Sequence, residues 1–193
     1  MSKIAFLIDE MFEDSEFRVP YDRLRAAGHT VDILGRQAGA TMEGYRHKEQ
    51  VKIEKPVAQA RVEDYDALVI PGGYSPDHLR TQREAVTFTR SMALANKLVA
   101  AVCHAPSLLI EADLVYGRQI TSWPSIRTDL VNAGSRWVDR EVAIDGNLIT
   151  SRRPDDLPAF SDAILHLLAE GVAARTDTAS GQGRAPSTAP RAH

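Results

Sequence analysis

Apolar residues run through this chain in short consecutive blocks, separated by longer stretches at helical spacing. Lys3 to Ile8 (KIAFLI), Thr30 to Leu34, Ala67 to Ile70 and Leu98 to Val102 are dense in aliphatic and β-branched side chains, the pattern of strands covered on both faces. The stripe Phe17, Tyr21, Leu24 and Ala27, closed by Gly28, reads as a first helix, and Ala85, Val86, Phe88, Met92 and Ala95 read as another. Pro20 interrupts the first stripe, so the main helix is expected to begin near it and Glu13 to Glu16 to form a separate turn at the end of the first strand. From Ala38 to Glu54 the strand signals, around Met42 to Tyr45 and Val51 to Ile53, are short and broken by polar residues, which predicts a small hairpin excursion.

Beyond Val102 the pattern turns at once into a helix, with Pro106 in its first turn and Ser107 to Ile110 continuing it. Gln119 to Ser122 reads as a short strand, and Pro124 to Ala133 as a helix ended by Gly134. Glu141 to Ile144 and Leu148 to Thr150, joined by Asp145-Gly146-Asn147, read as a hairpin, because Asp-Gly tolerates the φ > 0 geometry of tight turns. A last helix starts at Asp155, carries Leu157, Phe160, Ile164, Leu167 and Leu168, and stops at Gly171. The alternation predicts an α/β fold: a mostly parallel sheet with helices on both faces, whose ligands gather at the carboxyl ends of the strands.

Composition narrows this picture. With 193 residues, 44% hydrophobic and 25% charged, the chain suits one well-filled domain, expected over residues 1–171. Residues 172–193, rich in Ala, Ser, Thr, Gly and Pro without an apolar period, have the composition of a low-complexity tail. A net charge of −3 gives no electrostatic footprint for nucleic acid or an anionic membrane. The single cysteine rules out an internal disulfide and a Cys-rich zinc site, which suits a reducing compartment. The first residues lack the pattern of a signal peptide and no stretch approaches a membrane span, so a cytoplasmic protein is expected.

The chemistry concentrates at Cys103. It follows a buried strand and precedes a helix, so it is expected on a tight elbow that exposes its side chain, aims backbone N–H groups at it and favours the thiolate. The alternative is a small buried hydrophobe at the end of a core strand. The strand-end rule brings three loops to one rim: Glu13 to Glu16, the Pro71-Gly72-Gly73 turn with Asp77, and Cys103-His104. Together they offer a nucleophile, a carboxyl in Glu16 able to exchange a proton with it, N–H donors for an oxyanion, and a histidine with an acidic partner. Plain structural roles remain open, a solvated acidic loop for Glu13 and Glu16 and a helix N-cap for Asp77. Gly72-Gly73 lacks the spacing of a dinucleotide or P-loop motif. His29, His47, His166 and His193 read as solvated surface residues, and His78 is a weaker candidate beside Asp77.

Several segments are familiar in combination: FEDSEFRVPYDRLRAAGH, ALVIPGGYSPDHLR, VAAVCHAPSLLIEADLVYGRQITSWPSIRTDLVNAGSRWVDREV and DGNLITSRRPDDLPAF. From about Ile4 to Leu168 the chain resembles the ThiJ/PfpI family of the class I glutamine amidotransferase-like superfamily. The resemblance implies a flavodoxin-like three-layer sandwich, with Cys103 on a nucleophile elbow and Glu16 as the protonated acid beside its sulfur. It implies His104 as the catalytic histidine, and Gly73 with the His104 backbone as the oxyanion hole. Asp77 matches an acid that reaches this histidine from a neighbouring subunit, which implies a homo-oligomer with the site near its interface. Asp77 stands where Glu is usual, Ala105 where Gly is usual, and Trp123 where Tyr is common. Gly72, Glu13 and Trp123 complete the candidate site. The family frame calls for no metal or other cofactor.

Relatives in such a family carry several activities. The expectation taken forward is a stress-protective, cysteine-dependent hydrolase, deglycase or glyoxalase-like enzyme acting on small reactive carbonyls or their early adducts. Two alternatives stand beside it: a cysteine peptidase or amidase, and a redox-sensing or chaperone-like protein in which Cys103 is oxidised rather than catalytic.

Overall fold

In the computed structural model, which describes residues 1–171, the consecutive apolar runs line up side by side in one sheet. The first part of the chain forms β1 (Lys3–Leu7), α1 (Asp14–Ala26), β2 (Thr30–Gly35), β3 (Thr41–Glu43), β4 (Gln50–Lys52), β5 (Lys55–Pro56) and β6 (Ala67–Ile70). Then come α2 (Ser75–Leu79), α3 (Arg83–Leu94), β7 (Leu98–Val102), α4 (Pro106–Glu111), β8 (Gln119–Ile120) and α5 (Arg127–Asn132). The described part ends with β9 (Arg136–Trp137), β10 (Val142–Asp145), β11 (Leu148–Ser151) and α6 (Leu157–Glu170). The tail expected over 172–193 lies outside the described residues.

The main sheet has the order β10-β11-β7-β6-β1-β2-β5, parallel throughout except for the β10–β11 hairpin. Its inner strands β2-β1-β6-β7-β11 follow the 2-1-3-4-5 order of a flavodoxin-like sheet. Alternate residues of each strand feed opposite layers. Ile4, Phe6, Val69 and Ala100 pack with Phe17 and Leu24 of α1 and with Phe160 and Ile164 of α6. Ala5, Leu7, Leu68 and Val99 pack with Phe88 and Met92 of α3, Leu108 and Leu109 of α4, and Leu130 of α5. Strands β1, β6 and β7 are neighbours or next neighbours in the middle of the sheet, and their carboxyl ends carry the three loops expected to share a rim.

The start of α1 differs from the sequence expectation, and the difference decides where Glu16 sits. The Glu13 carboxylate accepts the N–H groups of Ser15 (2.8 Å) and Glu16 (3.0 Å), which caps the helix well before Pro20. Pro20 therefore lies inside the helix, where it lacks the N–H that would reach the Glu16 carbonyl. Its ring lies on the same buried face as Phe17 and Leu24, and burial of that face against the sheet outweighs the missing bond. Glu16 is thus in the first turn of α1 rather than in a separate turn.

The excursion between β2 and β6 contains the expected β3–β4 hairpin. Its loop is held by one side chain: Asp14 accepts the backbone N–H groups of Arg46, Lys48 and Glu49, each at 2.8 Å. Burial opposes ionisation of Asp14, but these donors prevail and hold its pKa below the ordinary carboxylate value. Tyr45 and Arg46 are thereby fixed beside the rim.

Phe17 joins α1 to the sheet through an edge-to-face contact with Phe6 (centroids 5.5 Å apart) and a close contact with Phe12 (5.4 Å). Phe17→Ala is expected to lower the unfolding free energy by about 3–5 kcal/mol in chemical denaturation. Val131→Ala, at a side chain 48% exposed, should change it by less than about 0.5 kcal/mol. Equal effects of the two substitutions would remove α1 from the core described above.

Candidate active site

Cys103 lies between β7 and α4 with φ at +63°, a conformation that costs a non-glycine residue free energy and survives only where the surroundings enforce it. Enforcement comes from both sides of its peptide unit. Its N–H donates to the Ser151 carbonyl (3.0 Å), and its carbonyl accepts the N–H of Trp123 (2.9 Å). The resulting elbow leaves the side chain 7% exposed at the floor of a cleft.

Glu16 arrives from α1 and is fully buried. One carboxyl oxygen, Oε2, accepts the Gly72 N–H at 2.8 Å, while Oε1 has no hydrogen-bond partner among the described residues. Burial, followed by the charge of Glu13, raises the Glu16 pKa from 4.5 to about 8, so the carboxyl keeps its proton at neutral pH. The fit around it is tight enough to specify glycine at 72. A Cβ there would lie 2.5 Å from Glu16 Oε2 and 2.6 Å from the Cys103 Cβ. Gly73, at φ +74°, turns the chain directly after it, and a side chain there would run into the backbone of Met11 to Glu13.

The thiol is not biased towards the thiolate as the elbow alone suggests. Burial and then the adjacent Glu16 raise the Cys103 pKa, against the backbone N–H groups of Gly73 and His104, which lower it. The physical reason is that two negative charges cannot share this desolvated corner. When Glu16 holds its proton the charge repulsion disappears, and the Gly73 and His104 donors then work against burial of the sulfur.

His104 is half-buried, and burial lowers its pKa while Asp77 opposes that shift. Asp77 sits within α2 rather than at its N-cap, and it lines the same cleft as His104 in a single chain. No hydrogen bond joins the two side chains among the described residues. Trp123, fixed through its backbone to the Cys103 carbonyl, lines the cleft beside His104, its ring centroid 6.4 Å from that of His104. Glu13 is more than the acidic loop residue its sequence context suggests. It caps α1, contributes to the raised pKa of Glu16, and pairs through Oε1 with Arg46 Nε at 3.2 Å.

All these side chains border one cleft of about 620 Å³. Sequence reasoning missed Arg46, Tyr45 and Ser107 among its walls. The first two reach it on the hairpin loop, which Asp14 and the Phe12 carbonyl hold in place, and Ser107 because it lies just beyond the elbow. His78 lies outside this cleft, in a neighbouring depression with Asp9 and Glu10. Among the described residues, no group of three or more His, Cys, Asp or Glu side chains is gathered to hold a metal ion. No described helix is long and apolar enough to cross a membrane.

The DJ-1/PfpI family profile matches residues 2–167. The chain is 47% identical over 167 residues to a protein of Escherichia coli (strain K12) named "Protein/nucleic acid deglycase 2", a match covering 86% of this chain and 97% of that protein. It is 43% identical over 166 residues to the "Putative cysteine protease YraA" of Bacillus subtilis (strain 168), covering 86% of this chain and 98% of that one. Among solved structures it is similar to DJ-1beta of Drosophila melanogaster, with a TM-score of 0.81 at 31% identity over 93% of this chain and 98% of that chain. With the sheet order, the elbow and these matches together, the chain belongs to the DJ-1/PfpI family.

Proposed function

We propose that this protein is a cysteine-dependent enzyme acting on reactive α-oxoaldehydes and their early adducts, a deglycase and glyoxalase-like hydrolase. The observation that carries the reading is the fully buried Glu16 carboxyl beside Cys103, in a corner where burial favours its protonated form. An acid that keeps its proton near neutral pH can both give and take one during turnover. The deglycase name of the relative at 47% identity supports the same reading.

The chemistry follows from the groups present. As the Cys103 sulfur adds to the aldehyde carbon, its thiol proton passes to the neutral His104 ring and from there to the carbonyl oxygen, which gives a hemithioacetal. While negative charge develops on that oxygen, the Gly73 and His104 N–H groups are placed to stabilise it. A proton then leaves the former aldehyde carbon and one returns to the neighbouring carbonyl carbon, so the first is oxidised and the second reduced within the substrate. Glu16 and the neutral His104 ring are the groups available to carry these protons. Water hydrolyses the resulting thioester, which releases a 2-hydroxy acid and restores the thiol. With an early adduct, loss of the amine or thiol carrier precedes the addition. Asp77 acts as a positioning residue for His104.

The peptidase name of another relative keeps amide hydrolysis as the second reading. Against it, His104 is adjacent to Cys103 on one elbow, an arrangement that does not readily place the ring to protonate a leaving amine. Against a purely redox-sensing role, Cys103 is buried, whereas sensor cysteines are solvent-accessible. The protein is proposed to work in the cytoplasm as a homo-oligomer. Exposed Tyr45, Tyr74 and Trp123 around the cleft are the apolar surface that supports this.

Three outcomes are expected. Cys103→Ala should lower methylglyoxal conversion to lactate on the order of 10³-fold or more, and equal rates for the two proteins would remove the mechanism. Glu16→Gln should lower turnover by about 10²–10⁴-fold. The same substitution should make the protein more stable at neutral pH. Because burial raises the carboxyl pKa from 4.5 to about 8, its proton is held more tightly folded than unfolded. Full stability is therefore present below about pH 4.5 and is lost as pH rises towards 8. Glutamine keeps the shape and removes that loss, on the order of 3 kcal/mol at pH 7. Thermal unfolding of both proteins from pH 5 to pH 8 checks this. A wild type that is at least as stable as Glu16→Gln at pH 8 would contradict the buried, neutral carboxyl.

A further inference from the structure

We infer that Arg46 is a specificity-determining residue, and that the preferred adducts are those whose carrier bears an oxyanion, a carboxylate or a phosphate, close to the glycated atom. This rests on the deglycase reading and names its substrate class.

The cleft supplies the first observation. At about 620 Å³ it has the size of pockets that hold drug-sized ligands, far more than a three-carbon dicarbonyl fills. The cleft therefore has room for part of the carrier beside the dicarbonyl, where its walls can select among carriers.

Arg46 supplies the second. Its backbone is fixed by the Asp14 carboxylate (2.8 Å), and its side chain is held at Nε by Glu13 Oε1 (3.2 Å). Glu13 itself is immobilised as the cap of α1, its other oxygen taken by Ser15 and Glu16. The guanidinium is thus held at the cleft wall by one ion pair, with its side chain 59% exposed, and Glu13 is its one ion-pair partner among the described residues. A planar guanidinium with donors to spare matches an oxyanion bidentately. Its charge also acts on Glu16, which puts it within electrostatic range of the reacting sulfur.

Arg80 is the other cation on the cleft wall, and its Nη2 lies 3.5 Å from Glu111. Asp77 and Asp129, also on the cleft wall, work against binding an anion beside them. The favourable location is therefore the Arg46 wall, between Tyr45 and the Glu16–Cys103 floor.

Matched carriers test this within one protein sample, so the folded fraction cancels. The methylglyoxal hemithioacetals of N-acetylcysteine and of N-acetylcysteine amide differ by one carboxylate. The methylglyoxal adducts of guanosine monophosphate and of guanosine differ by one phosphate. Wild type is expected to show a kcat/KM about tenfold higher for at least one charged member than for its neutral partner, expressed in KM. The charged pair that is preferred identifies the oxyanion. In Arg46→Gln that ratio should fall to about one, and Arg46→Lys should restore part of it.

A wild-type ratio near one for both pairs, or a ratio unchanged in Arg46→Gln, would overturn the inference. If Arg46 acted only by tuning Glu16 through Glu13, the pH profiles of charged and neutral substrates would shift together and the ratio would stay constant. If wild type turned over none of the four adducts, the deglycase reading itself would fail, and the inference with it.

Discussion

A fully buried carboxyl group packed against the only sulfhydryl of the chain sets the terms for much of the surrounding structure. Glu16 reaches that position because Glu13 caps α1 early and because the helix continues through Pro20. The carboxyl is received by the Gly72 N–H, and the space it occupies leaves no room for a side chain at 72. Cys103 is driven into the same corner by an elbow at φ +63°, fastened through Ser151 and Trp123. None of these features lowers the energy of the fold on its own. A raised carboxyl pKa, a left-handed cysteine and a proline inside a helix are each unfavourable, and the two packed layers of the sandwich hold them in place.

That concentration of strain is what gives the site its chemistry. Burial opposes a charge on either group and a charge on one opposes a charge on the other, so both hold their protons at neutral pH and a charge appears there only as a substrate reacts. Substrate addition converts the sulfur into a neutral thioether-like atom that can no longer carry a charge beside Glu16, whose pKa of about 8 lies close enough to neutrality for it to lose its proton in turn. The same carboxyl can therefore be acid before addition and base after it, without any movement of the backbone.

Much of this was legible in the sequence. Ala67–Ile70 and Leu98–Val102 form strands over the expected residues, because runs of aliphatic residues with no polar member have only one environment that suits them. Cys103, Glu16, Gly72, Gly73, Asp77 and His104 meet at one rim because a parallel sheet brings strand ends together. Three features were not legible. The position of Pro20 inside α1 contradicts its local preference, and it depends on burial against strands elsewhere in the chain. Arg46 enters the cleft through bonds to Asp14, which lies 32 residues away, so no periodicity marks it. The bias against the thiolate comes from burial and from Glu16, both set by the tertiary structure, whereas the turn around Cys103 taken alone suggests the opposite.

The central claim is that Glu16 is un-ionised at neutral pH, and its carbonyl stretch reports this directly. Infrared difference spectra between the wild type and Glu16→Gln, recorded across a pH titration, isolate the band of this one carboxyl. The expected result is a protonated carboxylic acid band at pH 7 that gives way to a carboxylate band as the pH rises through about 8. A carboxylate band already complete at pH 6 would contradict the claim.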